Sequence, residues 1–177
     1  MKSIRIVFLL FLSFSPLADA VDAKDIYRYQ GFIDAKSDPS AKYGIVPLTI
    51  NTKDFVISTF DVLGDTSDCS SKKLRFCIYD SQLIFSLPKH SLHEGLSWSF
   101  IYSEAEVRFL VRNSFILSLM GVSQSVYLID VVVSRNDDVA SQRLYYSEER
   151  GLVMFTALNS EDVYYWSADS VGLGVLK

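Results

Sequence analysis

Histidine and cysteine, the residues that most often bind metals or act as catalytic groups, are scarce in this sequence. The 177 residues contain two of each. A closed zinc site takes four such ligands, and Cys69 and Cys77 do not have the Cys-x-x-Cys spacing of a redox pair. The Gly-x-Ser-x-Gly turn that exposes a hydrolase nucleophile is also absent. The sequence therefore predicts no catalytic residue, no metal site and no cofactor.

An excess of basic residues is missing as well. Lys and Arg together number 17 against 21 Asp and Glu, which gives a formal net charge of -4. Binding to a phosphate backbone needs clustered basic side chains, and attraction to anionic lipid needs the same. We therefore expect neither a nucleic acid nor an anionic membrane surface as the partner.

Long hydrophobic runs are absent except at the N-terminus. There, Lys2 and Arg5 precede an apolar block over residues 6–12, and the small residues Ala18 and Ala20 follow it. A positive start, an apolar middle and a small-x-small end are typical of a secretory signal. The alternative is a retained membrane anchor, but a helix that spans a bilayer needs about 20 apolar residues. The sequence therefore predicts a signal helix over residues 1–20 that is cleaved after Ala20.

The predicted mature chain, residues 21–177, is interpreted as a single β-rich domain. The signal contains two basic residues and one acidic residue, so its removal changes the net charge from -4 to -5. The next most apolar run, residues 115–120, is interrupted by Ser118 and is too short to span a membrane. We expect an exported protein, periplasmic or extracellular, with no transmembrane segment in the mature chain.

Cys69 and Cys77 are the only cysteines, and export would bring them into an oxidising compartment. An even number of cysteines in an exported chain indicates a disulfide. The spacing of eight residues suits a hairpin or a loop that leads into a strand. The sequence therefore predicts a structural disulfide between Cys69 and Cys77.

What the sequence has in abundance is apolar residues at every second position. This alternation runs through residues 74–78, 96–102 and 107–111, and clusters of Gly, Asn, Asp, Ser and Pro separate such runs. Alternation places the apolar side chains on one face of a strand, and the clusters supply turns. One of these clusters, Asn113-Ser114, predicts a turn between strands at 107–111 and 115–120.

The pattern as a whole predicts an all-β fold. Short strands without intervening helical periodicity are typical of an antiparallel meander. We expect it to form a curved sheet or a partly open barrel, and a β-sandwich is the competing architecture. Residues 87–96 are the one segment that could instead form a short helical turn.

Two small constellations could carry chemistry. His90 and His93 are three residues apart, and on a helix this spacing would put both imidazoles on one face. They could begin a metal site, or one of them could be the base of a hydrolase. Exposed loop histidines are the simpler interpretation. Aspartates at positions 54, 61, 65 and 68 could form a weak calcium site, since extracellular sites use such carboxylates, but a solvated turn uses aspartate equally well.

Consecutive aromatic residues are the strongest candidates for a binding surface. When adjacent residues of a strand are both aromatic, one of them faces away from the core, where it could contact a sugar or a partner protein. If both faces are buried, one could line a cavity for an apolar ligand. Ordinary cross-strand packing is the third interpretation. The candidate residues are Tyr145, Tyr146, Tyr164, Tyr165 and Trp166.

Short segments of the chain resemble a group of exported bacterial β-meander proteins of unknown function. The segment Tyr-Tyr-Ser-Glu-Glu-Arg-Gly-Leu-Val-Met-Phe at 145–155 looks like the hairpin of that group, and the pieces at 76–78, 85–89, 126–129 and 172–174 agree with it, as does Trp98. The resemblance implies an exported, sheet-rich protein of bacterial type. It implies no catalytic residues.

These observations lead to one functional expectation and two alternatives. We expect a non-enzymatic binding module for a protein partner or an apolar ligand. The first alternative is a periplasmic carrier or chaperone that shields lipid or lipoprotein acyl chains in a half-barrel. A hydrolase, which would need His90 or His93 at the base of a pocket, is the less favoured alternative.

Overall fold

The structure is a computed structural model, and it describes residues 26–32, 45–53, 56–58, 63–65, 67–69, 73–119, 121–160, 162–166 and 172–174. These residues contain thirteen β-strands and no helix. The prediction of an all-β fold is confirmed. The predicted signal helix at 1–20 lies outside the described residues. The segment 87–96, the one possible helical turn, leaves its strand at Pro88 and forms bends and a turn at Glu94 and Gly95.

Most of the strands follow the alternating runs of the sequence. In chain order they are β1 (Ile26–Phe32), β2 (Ile45–Asn51), β3 (Val56–Ser58), β4 (Leu63–Asp65), β5 (Ser67–Asp68), β6 (Leu74–Tyr79), β7 (Ile84–Pro88), β8 (Ser97–Tyr102), β9 (Ala105–Leu119), β10 (Val122–Arg135), β11 (Asp138–Ser147), β12 (Gly151–Thr156) and β13 (Val163–Trp166).

Ten of these strands form one antiparallel sheet in the order β4-β3-β2-β1-β13-β12-β11-β10-β9-β8. Each half is a meander of consecutive strands, as the sequence predicts. The halves meet where β1 pairs with β13, for example at Tyr29 with Trp166 and at Gly31 with Tyr164. In the described part of the chain, β4 and β8 are the two edges, so this sheet is not closed into a barrel.

The remaining three strands form a small second sheet in the order β5-β6-β7. Strand β7 is buried along its whole length, because both of its faces pack against other parts of the protein. Phe85 contacts the ring of Phe76 on β6 and that of Tyr146 on β11 of the large sheet. The small sheet thus covers part of one face of the large sheet, which we call the inner face. The opposite face of the large sheet is the outer face.

Inner-face residues of the large sheet form the hydrophobic core. Cross-strand neighbours Val111, Ile129, Leu144 and Phe155 are all essentially inaccessible to solvent. Burying each such side chain stabilises the fold by roughly 1.5–3 kcal/mol. These four side chains therefore anchor the fold. Because side chains alternate between the two faces of a strand, the adjacent Asp130 and Arg143 lie on the outer face.

Two polar side chains of the large sheet, Gln142 and Trp98, connect it to the small sheet within the apolar core. The side-chain amide of Gln142 accepts a hydrogen bond from the backbone N–H of Ile84 at 3.0 Å and donates to the carbonyl oxygen of Gln82 at 2.9 Å. The indole N–H of Trp98 donates to the hydroxyl of Ser86 at 3.3 Å. Because buried polar groups without partners destabilise a fold, these bonds fix how β7 lies on the large sheet.

The described C-terminal residues, 172–174, lie across β12. The N–H of Leu152 donates to the carbonyl of Leu173, and Leu173 in turn donates to the Tyr29 hydroxyl, each at 2.8 Å. Tyr29 also donates to the Leu152 carbonyl at 2.8 Å. A Cβ atom on Gly172 would overlap the Leu152 carbonyl oxygen, so the close approach requires glycine here. The central strand pair and the C-terminal residues are therefore held together through one buried phenol.

The predicted disulfide is confirmed. Cys69 follows β5 and Cys77 lies in β6, with a Cα–Cα distance of 5.0 Å. Cys77 is buried and Cys69 is partly exposed. The strand β5 is only two residues long. The disulfide attaches the residue that follows it to the neighbouring strand β6.

The turn predicted at Asn113 and Ser114 is wrong, because β9 continues through both residues. The register against β10 shifts there: Val111 pairs with Ile129 and Asn113 pairs with Leu128, so Arg112 is an extra residue in β9. Such a β-bulge reverses the alternation without ending the strand. The sequence contains the polar pair but cannot distinguish a bulge from a turn.

Candidate functional site

The predicted aromatic surface is largely buried. Tyr146, Tyr164 and Tyr165 are at most 8% exposed, and Tyr145 is half-buried; for Trp166 only the backbone is described. Tyr164 lies against Gly31, where an added Cβ would stand 2.6 Å from the ring, and its ring stacks on Phe155 at 5.2 Å between centroids. These contacts are cross-strand packing. A role of these five residues in binding stays a prediction. Of the four whose side chains are described, Tyr145 is the most exposed, and it reaches an open surface on the outer face.

That open surface is a groove of about 720 Å³ on the outer face of the large sheet. Its floor is formed where β10, β11, β12 and β13 lie side by side, and its rim includes the turn between β12 and β13. Ligand sites commonly have volumes of roughly 300–1,000 Å³, so the groove is large enough for one. Its outer-face lining residues are Asp130, Val132, Ser141, Arg143, Tyr145, Thr156, Asn159, Ser160 and Val163.

Strand register brings the polar floor of the groove together. Asp130 on β10 pairs with Arg143 on β11, and the backbone N–H of Arg143 donates to the Thr156 hydroxyl at 2.9 Å. Because side chains opposite one another on antiparallel strands share a face, Asp130 and Arg143 both project from the outer face. The site therefore comes from the pairing of strands that are separated in sequence.

Asp130 holds two arginines beside the groove. Its carboxylate is 2.5 Å from Nε of Arg112 and 4.0 Å from Nε of Arg143. Arg112 is the extra residue of the β-bulge, and the bulge directs it to the outer face. Both guanidinium groups remain more than half exposed, so they keep donors available for a carboxylate or a carbonyl oxygen.

Apolar side chains adjoin the polar floor. The ring of Phe115 on β9 packs edge-on against Tyr145 with their centroids 6.2 Å apart. Val132 lies in the groove and is 37% exposed, and Val163 on β13 closes the other side. Valine and tyrosine carbons next to arginine, serine and asparagine suit a ligand with both apolar and hydrogen-bonding groups.

A second, smaller cleft of about 300 Å³ lies at the end of the small sheet. It places Arg75, His90, Tyr146 and Glu148 around one opening. Burial raises the pKa of Tyr146 to about 12, with Glu148 adding to the rise and Arg75 opposing it. The Tyr146 hydroxyl donates to the Gly174 carbonyl at 3.1 Å, so the phenol is a neutral structural donor.

The histidine candidates lie in an exposed loop, and the aspartate candidates lie largely outside the described side chains. His90 and His93 are both exposed in the loop after β7, and Nδ1 of His93 lies 3.1 Å from its neighbour's carbonyl, that of Glu94. Positions 54 and 61 lie outside the described residues, and for Asp65 and Asp68 only the backbone is described. Within the described residues, no group of three or more His, Cys, Asp or Glu side chains could hold a metal ion.

Comparisons with protein-family models, with curated proteins and with solved structures give no match for this chain. The chain is therefore characterised by its fold and its site: an all-β protein with a long antiparallel sheet, a small second sheet and an open groove on the outer face. The resemblance to exported bacterial β-meander proteins stays a prediction. No described helix is long and apolar enough to cross a membrane.

The most prominent residues of the groove could not be identified from the sequence alone. Asp130 interrupts an apolar run and Arg143 follows two polar residues, so each looks like an ordinary polar position on a strand. A signal was present, because Asp130 is the one charged residue between positions 113 and 134. Its partners Arg112 and Arg143 could not be assigned without the register of β9, β10 and β11.

Proposed function

We propose that the protein is a non-enzymatic binding module that takes an extended segment of a partner protein in the outer-face groove. The observation that carries the proposal is the groove itself, about 720 Å³ and open along the sheet. It combines the polar floor at Asp130 and Arg143 with the adjoining apolar side chains of Val132 and Val163. An extended peptide presents both kinds of group on alternating sides.

Charge supports a peptide over a purely apolar ligand. Arg112 and Arg143 share the single carboxylate of Asp130, so one positive charge remains in excess at this site. A ligand that carries a carboxylate or several carbonyl oxygens would compensate it. A saturated acyl chain would leave these donors without partners, and desolvation of the groove would then be unfavourable.

The interior between the two sheets supports the same choice. Leu83, Ile84, Phe85 and Leu87 fill the space beneath the large sheet and are at most 2% exposed. An acyl-chain carrier would need an apolar cavity there, whereas the groove of about 720 Å³ lies on the other face. The carrier alternative therefore rests on the sequence interpretation alone.

The proposal is tested by panning a display library of random linear peptides against the purified, disulfide-bonded protein. We expect enriched peptides that contain an acidic side chain and alternating apolar residues, and that bind with micromolar dissociation constants. Val132→Glu places a charge in the groove and is expected to weaken binding by at least about tenfold, equivalent to about 1.4 kcal/mol.

Val139→Glu is the matched control. Val139 lies on β11, on the same outer face, and is 65% exposed, but it does not line the groove. Peptide affinity should be unchanged in this variant. Equal loss in both variants, or no enriched peptide at all, contradicts the proposal. Native mass spectrometry that shows a co-purified lipid would favour the carrier alternative.

A further inference from the structure

The hairpin of β9 and β10 extends past its neighbouring strands as a two-stranded arm, which we define as residues 113–119 and 122–126. On one side, β8 pairs with β9 only as far as Leu110, and residues 95 and 96 continue to Val111. On the other side, β11 first pairs with β10 at Tyr127. At about 3.3 Å per residue, the seven residues 113–119 span about 23 Å. No other described strand pairs with the arm.

The arm is unusual in composition. Residues 113–126 contain no Asp, Glu, Lys, Arg or His, although the chain carries 17 basic and 21 acidic residues. Its two faces also differ. Phe115, Leu117 and Leu119 are half-buried and pack on the hydrophobic core cluster, whereas Ile116 on the opposite face is 68% exposed.

One hydrogen bond shows which backbone groups of β9 point towards the free edge of the arm. The backbone N–H of Ser114 points away from β10 and donates to Oε1 of Glu94 at 2.9 Å. Backbone groups of a strand alternate between its two sides, so the N–H and C=O groups of Ile116 and Ser118 also point away from β10. Glu94 therefore covers the start of the edge, and Ile116 and Ser118 remain as the open positions among the described residues.

Exposed strand edges normally carry a lysine, a proline or an inward-pointing charge that prevents pairing with another strand. The edge from Phe115 to Leu119 has none of these. A two-stranded ribbon is marginally stable alone, and further strands stabilise it. An uncharged, unblocked and apolar edge of this kind is suited to strand addition.

We propose that this edge pairs with the same edge of a second copy of the chain, in an antiparallel arrangement with its two-fold axis at Leu117. In this register Leu117 lies opposite its counterpart, Phe115 lies opposite Leu119, and Ile116 lies opposite Ser118. Ile116 and Ser118 exchange the backbone hydrogen bonds that are open in one copy. The two arms become a continuous four-stranded sheet.

Three observations favour a second copy over an unrelated strand. The register is self-complementary, because each branched or aromatic residue meets an apolar or a small residue. The carboxylate of Glu94 restricts the edge to the two positions that this symmetric register uses. In addition, the chain is acidic overall, so two copies approach most favourably through a segment that has no charge. The inference does not depend on the proposed function, because the groove is not part of the arm edge.

The experiment combines a cysteine cross-link with an edge charge. In the proposed dimer Leu117 forms a non-hydrogen-bonded pair with its counterpart, with Cα atoms about 4.5 Å apart, a separation that a disulfide can span. Leu117→Cys should therefore give a disulfide-linked dimer under mild oxidation. Cys69 and Cys77 are bonded to each other and do not compete.

Leu110→Cys is the matched control. Leu110 is also a half-buried leucine of β9, but β8 and β10 flank it on both sides. It should not cross-link. A disulfide that forms equally in both variants would reflect random collision and would overturn the proposal.

The dimer dissociation constant of the protein without added cysteines is measured by sedimentation velocity over a concentration series. Ser118→Lys puts a charge on the edge and is expected to raise the dimer dissociation constant at least about tenfold, equivalent to about 1.4 kcal/mol. Ser125→Lys puts the same charge on β10, one strand away from the edge, and should leave the dimer intact. A wild-type protein that stays monomeric up to its solubility limit, or a Ser118→Lys variant that still dimerises fully, would refute the pairing.

Discussion

The side-chain oxygen of Gln142 on the large sheet accepts a hydrogen bond from the backbone N–H of Ile84 on the small sheet at 3.0 Å. The same amide donates to the carbonyl oxygens of Gln82 and Thr156 at 2.9 and 2.6 Å. One buried side chain therefore satisfies backbone groups of both sheets. Gln142 therefore links β7 to β11 and β12 through the interior.

We expect Gln142→Leu to destabilise the protein. Leucine has a similar volume but leaves the Ile84 N–H buried without a partner, which costs about 1–3 kcal/mol. The free energy of unfolding from urea denaturation provides the measurement. Gln142→Glu keeps the acceptor for Ile84 but loses both donors. If the leucine variant is as stable as the wild type, Gln142 does not join the sheets energetically.

Gln124 on the arm is a second buried glutamine, and here we expect that substitution by leucine stabilises the protein. Among the described residues, neither its side-chain oxygen nor its nitrogen has a hydrogen-bond partner, and the residue is 6% exposed. A buried polar group without partners is unfavourable. Gln124→Leu should therefore raise the free energy of unfolding by about 1–2 kcal/mol.

The same urea experiment compares Gln124→Leu with Gln142→Leu, which is an identical substitution at a fully bonded site. A destabilised Gln124→Leu variant would mean that Gln124 has a structural role on the arm. If Gln124→Leu and Gln142→Leu change the free energy of unfolding in the same direction, the substitution itself, and not the hydrogen bonding, determines stability.

Alkaline pH should unfold the protein through its buried tyrosines. Burial raises the pKa of Tyr146 to about 12 and raises the pKa values of Tyr29 and Tyr164 as well. Above about pH 10, where a phenol in the unfolded chain ionises, the unfolded state loses these protons at lower pH than the folded protein does. Stability is therefore fully present below about pH 10 and falls as pH rises through the folded pKa values.

Chemical denaturation from pH 8 to pH 12 tests this dependence. Tyr146→Phe removes one titrating group, so its stability should fall less steeply above pH 10 than that of the wild type. Tyr127→Phe is the control, because Tyr127 is only partly buried and stands in the same sheet. Parallel curves for wild type and Tyr146→Phe would show that ionisation of Tyr146 does not contribute.

Loss of the disulfide should weaken the small sheet. The double variant Cys69→Ser, Cys77→Ser removes a cross-link with a sequence separation of 8. By the chain-entropy relation, it should lower the free energy of unfolding by about 2–3 kcal/mol. Reduction of the wild-type protein with dithiothreitol should produce a similar decrease in thermal midpoint. A midpoint unaffected by both changes would mean that the cross-linked loop is already ordered without the bond.

The sequence predicted the class of fold well because the relevant signal is local. Alternation in residues 74–78, 96–102 and 107–111 reports which side chains share a face, and the structure places strands at each of these segments. Turn chemistry is local as well: Asn136 and Asp137 form the turn between β10 and β11, and asparagine tolerates the positive φ of 54° found at Asn136. The bulge at Arg112 was not readable, because it depends on pairing with β10.

The candidate site was predicted only in one residue, Tyr145. Adjacent aromatic residues indicate that one of them leaves the core, but they do not show whether another element covers it. Tyr165 is on the outer face and yet is 8% exposed, with its hydroxyl donating to Gln30 at 3.1 Å. Such coverage depends on β1, which is far from Tyr165 in sequence.

By itself, the amino-acid sequence determined that the described chain forms pleated sheet and that Cys69 and Cys77 pair. Both follow from short-range spacing. Tertiary structure decided that β1 pairs with β13, that Asp130 lies between two arginines, and that the arm edge stays open beyond Ser114. The reason is physical: alternation fixes the face of a side chain, whereas the identity of the neighbouring strand depends on long-range packing that no local pattern encodes.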